Sequence, residues 1–185
     1  MRNLLIIIAV ILSLTQLTFA VEWNDIKPLQ TTRPEVIKLL GDPLPRNRND
    51  FHTGERFDFD GQSVYIRWAV IDSCDRNVID FQPAPDLNVV AYQITVVPRE
   101  PLPLADIEKL NPPRKPLPGT DIIPMGPVNC LGSGGKWSCS IINNEAGFGY
   151  TTSTENKVIW LYYFPSEKEV LAWKEKVPLC SDEKK

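Results

Sequence analysis

The sequence has few of the residues that build metal centres or nucleic-acid surfaces. It contains 1 histidine, His52, in 185 residues, and this excludes any site built from several histidines. Positive charge is not in excess, because 20 lysines and arginines stand against 23 aspartates and glutamates. A formal net charge of −3 and a pI of about 5.3 argue against a chain that binds nucleic acid over its whole surface.

Motifs for enzymatic chemistry are also missing. No G-x-S-x-G nucleophile elbow occurs, and the glycines from Gly132 to Gly135 have a spacing that is more typical of a hairpin tip. No phosphate-binding loop and no dinucleotide fingerprint occurs either. We therefore expect no cofactor and no metal ion, and the missing motifs favour a non-catalytic protein while leaving an enzyme as the alternative.

The overall composition is that of a folded globular protein. Hydrophobic residues make up 43% of the chain and charged residues 23%, close to globular averages. A wholly disordered chain, a collagen and a coiled coil are excluded by these values.

Residues 1–20 have the three-part pattern of a secretory signal peptide. Arg2 supplies the positive start, Leu4–Leu14 is an apolar run, and small residues before the boundary predict cleavage after Ala20. The apolar run is shorter than the ~20 residues that cross a bilayer, and an uncleaved N-terminal anchor is the alternative. No later segment is long and apolar enough to span a membrane. The sequence thus predicts a secreted or periplasmic protein.

Four cysteines follow the leader, and their even number suits disulfide bonds in an oxidising compartment. The sequence leaves more than one pairing open. The short Gly-rich loop between Cys130 and Cys139 favours that pair, with Cys74–Cys180 as the long-range bond. A zinc site is the alternative, and the irregular spacing of the cysteines disfavours it.

The first half of the chain predicts one helix followed by strands. Thr32 and Glu35 have the spacing of a capping box, and Gly41 follows the last apolar residue, so a helix is expected over 33–40. Residues 56–68 alternate around an Asp-Gly pair, which is typical of a β-hairpin. Residues 89–97 form a third predicted strand.

The second half predicts a meander and a closing helix. Nine prolines between Pro98 and Pro127 predict a stiff connector with room for one helical turn or two at Leu104–Leu110. Three strands are then expected at 137–143, 147–152 and 158–164. A second capping box at Ser166 and Glu169 predicts a helix that continues to about Lys176.

This order of elements predicts an α+β fold with antiparallel pairing and a helix near each end of the mature chain. Either two αβββ-like halves lie side by side, or one sheet carries the helices on a face. The predicted organisation is a signal peptide (1–20), an α+β half (21–97), a Pro-rich connector (98–127), a meander with the C-terminal helix (128–180) and a charged tail (181–185). The meander and its helix can form one domain with the α+β half.

The stretch Trp23–Pro43, with its W-x-x-I-x-P-L start and its L-L-G-x-P ending, resembles the opening of a group of small secreted bacterial proteins of uncharacterised function. Pro103–Asp106 and Val158–Ser166 are also similar to that group, whereas the region of Cys130 and Cys139 departs from it. The helix ending more distantly resembles the SmpA/OmlA outer-membrane-assembly lipoproteins and the β-lactamase-inhibitor-protein fold. The lipid-bearing cysteine of those lipoproteins is missing here.

Two functional hypotheses follow. In the first, the protein is an exported, non-catalytic module that binds another exported protein or an envelope component. Trp137 and Tyr150 are its predicted binding residues, because tryptophan and tyrosine are favoured at interfaces and at sugar-binding faces. In the second, it is a small exported hydrolase with His52 as general base, a hypothesis that His52→Ala would test.

Overall fold

The computed structural model describes residues 22–45, 52–71, 78–80, 82–110, 128–133 and 136–176. The predicted signal peptide, Cys74, Cys180 and the charged tail lie outside these residues. Residues 111–127, the greater part of the predicted connector, also lie outside the described residues.

The first helix, α1 (Arg33–Leu40), has the predicted bounds. At its start the Glu35 carboxylate accepts hydrogen bonds from the N–H of Thr32 at 2.8 Å and from its hydroxyl at 2.7 Å. At its end Gly41 has a φ of +86° and donates its N–H to the carbonyl of Ile37. Glycine adopts such positive φ values without steric cost, so the helix ends there.

The strands form one sheet. They are β1 (Glu55–Phe59), β2 (Gln62–Val70), β3 (Val78–Ile79), β4 (Val89–Val97), β5 (Leu102–Pro103), β6 (Val128–Ser133), β7 (Lys136–Asn143), β8 (Phe148–Thr152) and β9 (Lys157–Tyr163). Their order in the sheet is β1-β2-β4-β9-β8-β7-β6, with β3 paired to β2 and β5 paired to β9. Each of these pairs is antiparallel. The predicted antiparallel α+β class is therefore confirmed.

Two further helices complete the described elements, α2 (Leu104–Leu110) and α3 (Glu167–Lys176). Ser166 and Glu169 form the predicted contact at the start of α3, where the backbone N–H and the hydroxyl of Ser166 both donate to the Glu169 carboxylate at 2.8 Å. No helix within the described ranges has the length and the apolar character that a membrane crossing requires.

The sequence missed parts of the sheet. The hairpin of β1 and β2 turns as predicted at Asp60 and Gly61, whose φ values are +51° and +72°. In contrast, β3, β5 and β6 were not predicted. The start of the Pro-rich connector also belongs to the packed structure, since it forms β5 and α2 and buries Ile107 to 4% exposure.

The hydrophobic core lies between the helices and one face of the sheet. In the register of β2 and β4, Val64 lies opposite Val96 and Ile66 opposite Ile94, and all four side chains are fully buried. Helices α1 and α2 cover this face with Val36, Leu40 and Ile107. We call it the helix-covered face; β9 and β8 contribute Val158, Leu161, Tyr163, Phe148 and Tyr150 to it.

Candidate functional site

The opposite face of the sheet has a different composition. Successive side chains of a strand point to opposite faces, so Tyr65 and Arg67, which alternate with core residues, lie on the side away from α1 and α2. The residues of α1 and α2 in the core cluster lie on the other side, and Tyr65, Thr95 and Thr151 on this side are buried. We call it the helix-free face, and its central side chains are Tyr65, Arg67, Gln93, Thr95, Ser140, Thr151, Trp160 and Tyr162.

Three hydroxyl groups meet on this face across β7, β8 and β9. The Thr151 oxygen lies 2.7 Å from the Ser140 oxygen and 2.8 Å from the Tyr162 oxygen. Tyr162 lies opposite Gly149 on β8, and a side chain at Gly149 would meet Ile142 of β7. Burial raises the pKa of Tyr162, while hydrogen bonds with Thr151 and Ser140 act to lower it. The phenol is therefore a neutral hydrogen-bonding group at physiological pH.

A second polar chain crosses β2 and β4. The Arg67 guanidinium donates from Nε to the Asp80 carboxylate at 2.6 Å and from Nη1 to the Gln93 amide oxygen at 3.1 Å. The Gln93 amide nitrogen in turn donates to the Thr95 hydroxyl at 3.3 Å. Since Thr95 lies directly opposite Tyr162, this chain and the hydroxyl cluster adjoin each other at the centre of the sheet.

Aromatic rings stand beside these polar groups. The ring centroid of His52 lies 4.8 Å from that of Tyr65 and 4.7 Å from that of Trp160. Gly54 holds this segment close to the sheet, because its N–H donates to the carbonyl of Asp80 at 2.9 Å. A side chain at Gly54 would meet the backbone of Ile66, so only glycine allows this close approach.

Tyr150, one of the two predicted binding residues, does not belong to this face. Its side chain is 6% exposed and is part of the core on the helix-covered face, 6.4 Å from the ring of Phe148. Alternation along β8 directs Phe148 and Tyr150 to the core and Thr151 to the other side, and the predicted binding role of Tyr150 stays a prediction. Trp137 pairs with Gly132 through the backbone, and its side chain lies outside the described part of the structure.

The structure also describes His52 and the backbone of two of the four predicted disulfide cysteines. Cys130 and Cys139 lie directly opposite each other in the β6–β7 pair. His52 packs on aromatic rings, and its role as a general base stays a prediction. No three histidine, cysteine, aspartate or glutamate side chains come together as a metal site among the residues described.

Comparison of the chain with models of known protein families, with curated proteins and with solved structures finds no match. The geometry of the helix-free face is therefore the observation on which a functional assignment rests.

Proposed function

We propose that the protein is an exported, non-catalytic binding module and that the helix-free face is its binding surface. The observation that carries the proposal is the grouping of aromatic rings, hydroxyls and an amide at the centre of the sheet. The solvent-facing side of an antiparallel sheet usually carries simple polar residues. On the helix-free face Trp160 and Tyr162 are half-buried and Tyr65, Thr95 and Thr151 are buried, and tryptophan and tyrosine are enriched at binding surfaces.

Export is proposed from the signal-peptide pattern of residues 1–20, and it predicts a secreted or periplasmic mature protein. The disulfide bonds belong to the same proposal. Directly opposed residues of an antiparallel pair have Cα atoms about 4.5–5.5 Å apart. Disulfide-bonded cysteines have Cα atoms about 4.4–6.8 Å apart, so the register of Cys130 and Cys139 supports that pair.

The pairing of Cys74 with Cys180 is proposed from the sequence alone. Proteolysis under non-reducing conditions, followed by mass spectrometry, should yield one peptide that links Cys130 to Cys139 and another that links Cys74 to Cys180. A peptide that links Cys74 to Cys139 would contradict both pairs.

We also propose two αβββ-like halves, the first with α1, β1, β2 and β4 and the second with α2, β7, β8 and β9. The order of the sheet supports this division, because the last strand of each half lies at the centre and the two central strands pair antiparallel. A two-fold axis between them would relate the halves. The distant likeness to the SmpA/OmlA lipoproteins and to the inhibitor-protein fold remains a proposal of the same kind.

A pull-down with matched variants tests the binding role. The tagged protein would be incubated with native envelope and culture fluid in non-reducing buffer, and captured components identified by mass spectrometry. Trp160→Ala removes a ring from the helix-free face, whereas Leu171→Ala removes a side chain that is 54% exposed on α3. Circular dichroism and urea unfolding would establish that both variants are folded.

The proposal expects a component that wild type and Leu171→Ala capture and Trp160→Ala does not. Equal capture by the Trp160→Ala variant would show that binding occurs elsewhere. If no reproducible component is captured across a range of salt concentrations, the binding role itself is contradicted.

A further inference from the structure

We propose that a cleft between α3 and the turn at residues 27–31 binds a primary amine that carries an apolar group. The cleft has a volume of about 340 Å³ and is lined by Pro28, Leu29, Gln30, Glu169, Ala172 and Trp173. This volume is within the range of small-molecule sites in proteins. None of the lining residues belongs to the helix-free face, so the cleft is a second binding site.

The turn that forms one wall of the cleft has a fixed shape. Pro28 is fully buried, and the N–H of Leu29 donates to the carbonyl of Ala91 on β4 at 2.7 Å. Leu29 has a φ of +60°, in the left-handed region that bulky residues rarely adopt. Residues held in such conformations are concentrated at ligand-binding and active sites. This wall is therefore formed before a ligand binds.

Helix α3 forms the other wall and contributes Glu169 and Trp173. The backbone N–H and the hydroxyl of Ser166 both donate to Oε2 of Glu169 at 2.8 Å, and they fix the carboxylate at the start of the helix. Among the described residues, no group donates to Oε1 of Glu169. This oxygen and the amide oxygen of Gln30 are thus two acceptors that line the cleft.

The charges around the cleft favour a cation. Glu169 is the only charged residue among the six that line it. The ammonium of Lys27, on the turn, lies 3.0 Å from the Glu22 carboxylate, which compensates its charge. A ligand ammonium can donate to the two acceptors and lie against the ring of Trp173, because aromatic faces attract cations. An anion would have the same sign of charge as Glu169.

The other lining residues favour an apolar group next to the ammonium. Pro28, Leu29 and Ala172 are apolar, and the ring of Trp173 adds a large apolar surface. An alkyl or aryl group gains free energy when such surfaces remove it from water, whereas a small hydrated ion does not. A free amine and a lysine side chain of a partner protein share this chemistry.

Two glutamates in the first turn of α3 provide a matched test. Glu169→Gln removes the charge from the cleft and keeps the start of the helix, because glutamine replaces glutamate in a capping box. Glu167→Gln makes the same change at an exposed residue that does not line the cleft. Trp173→Ala removes the aromatic wall. Circular dichroism and urea unfolding would establish that each variant is folded.

The protein in its exported form would be titrated by calorimetry with phenethylamine. Phenethyl alcohol and phenylacetate are the neutral and anionic probes of similar shape. N-acetyl-lysine methylamide represents a lysine side chain of a partner protein. If it binds as tightly as phenethylamine, the ligand includes the lysine side chains of proteins, whereas binding of phenethylamine alone indicates a free amine.

We expect phenethylamine to bind wild type and Glu167→Gln with similar affinity, and Glu169→Gln roughly tenfold more weakly. Trp173→Ala should abolish binding, and added salt should weaken binding to wild type because charges are paired. The inference is overturned if neither amine binds, if phenethyl alcohol binds as tightly as phenethylamine, or if Glu169→Gln binds like wild type. The pull-down with Trp160→Ala tests the helix-free face separately, so the two proposals can fail independently.

Discussion

The ion pair of Arg33 and Glu55 gives a quantitative test of how α1 is fastened to the sheet. Arg33 is the first residue of α1 and donates to both carboxylate oxygens of Glu55 on β1, from Nε at 2.9 Å and from Nη2 at 2.7 Å. The two side chains are unequally buried, with 17% of the Arg33 side chain and 1% of the Glu55 side chain exposed. Removing Arg33 should therefore lower the free energy of unfolding by a different amount than removing the Glu55 charge.

Arg33→Ala leaves a buried carboxylate without its partner, and such a change costs about 3–5 kcal/mol in the free energy of unfolding. Glu55→Gln keeps the shape of the side chain and leaves an arginine that can turn toward water, so the loss is that of a charge-assisted hydrogen bond, about 1.5–3 kcal/mol. Alanine is also a better helix former than arginine, so propensity does not contribute to the larger loss.

Urea unfolding at pH 7, followed by tryptophan fluorescence, would measure both losses. Lys109→Ala is the matched control, since the side chains of Lys109 and its partner Asp106 are 75% and 60% exposed. The control should lose about 0.5 kcal/mol or less. Equal losses for the two variants of the buried pair, or a loss for Arg33→Ala no larger than that of the control, would refute the argument that carboxylate burial sets the cost.

Three further predictions follow from single residues. Burial raises the pKa of Tyr163 to about 12. The neutral phenol therefore contributes fully to the free energy of unfolding below pH 10, and this contribution is lost as the pH rises towards 12. Tyr163→Phe should flatten the fall in the free energy of unfolding over this pH range. Gly54→Ala, at a φ of +119° and against the Ile66 backbone, should cost about 2–3 kcal/mol in urea unfolding. Hydrogen bonds from Thr32 lower the pKa of Glu35. The stability that these hydrogen bonds provide is present above the ordinary Glu pKa of 4.5 and is lost as the pH falls through the lowered pKa. Glu35→Gln should remove this dependence of stability on acid pH.

Local signals in the sequence predicted the elements that depend on local chemistry. Thr32, Glu35 and Gly41 define α1 within a few residues of chain, and Asp60 with Gly61 defines the first hairpin in the same way. The pairing of β4 with β9 has no such signal, because it joins strands that are distant in sequence and depends on the packing of both. The prediction of one stiff connector over residues 98–127 was incomplete, because Ile107 within this segment is buried in the core.

The residues of the helix-free face were harder to predict than the fold, because β9 is apolar on both faces and a register shift next to it interrupts strict alternation. Tyr162 and Tyr163 are indistinguishable as residue types, yet one joins a hydroxyl cluster and the other the core. The alternation of Phe148, Gly149, Tyr150 and Thr151 on the neighbouring strand β8 indicates which face of the sheet each of the two tyrosines occupies. Its two aromatic residues mark the core side, and the glycine and threonine mark the side on which a ring from β9 can lie across the strand. The neighbouring strand thus decides which residues of an apolar strand lie on each face, and this places the Tyr162 hydroxyl beside that of Thr151.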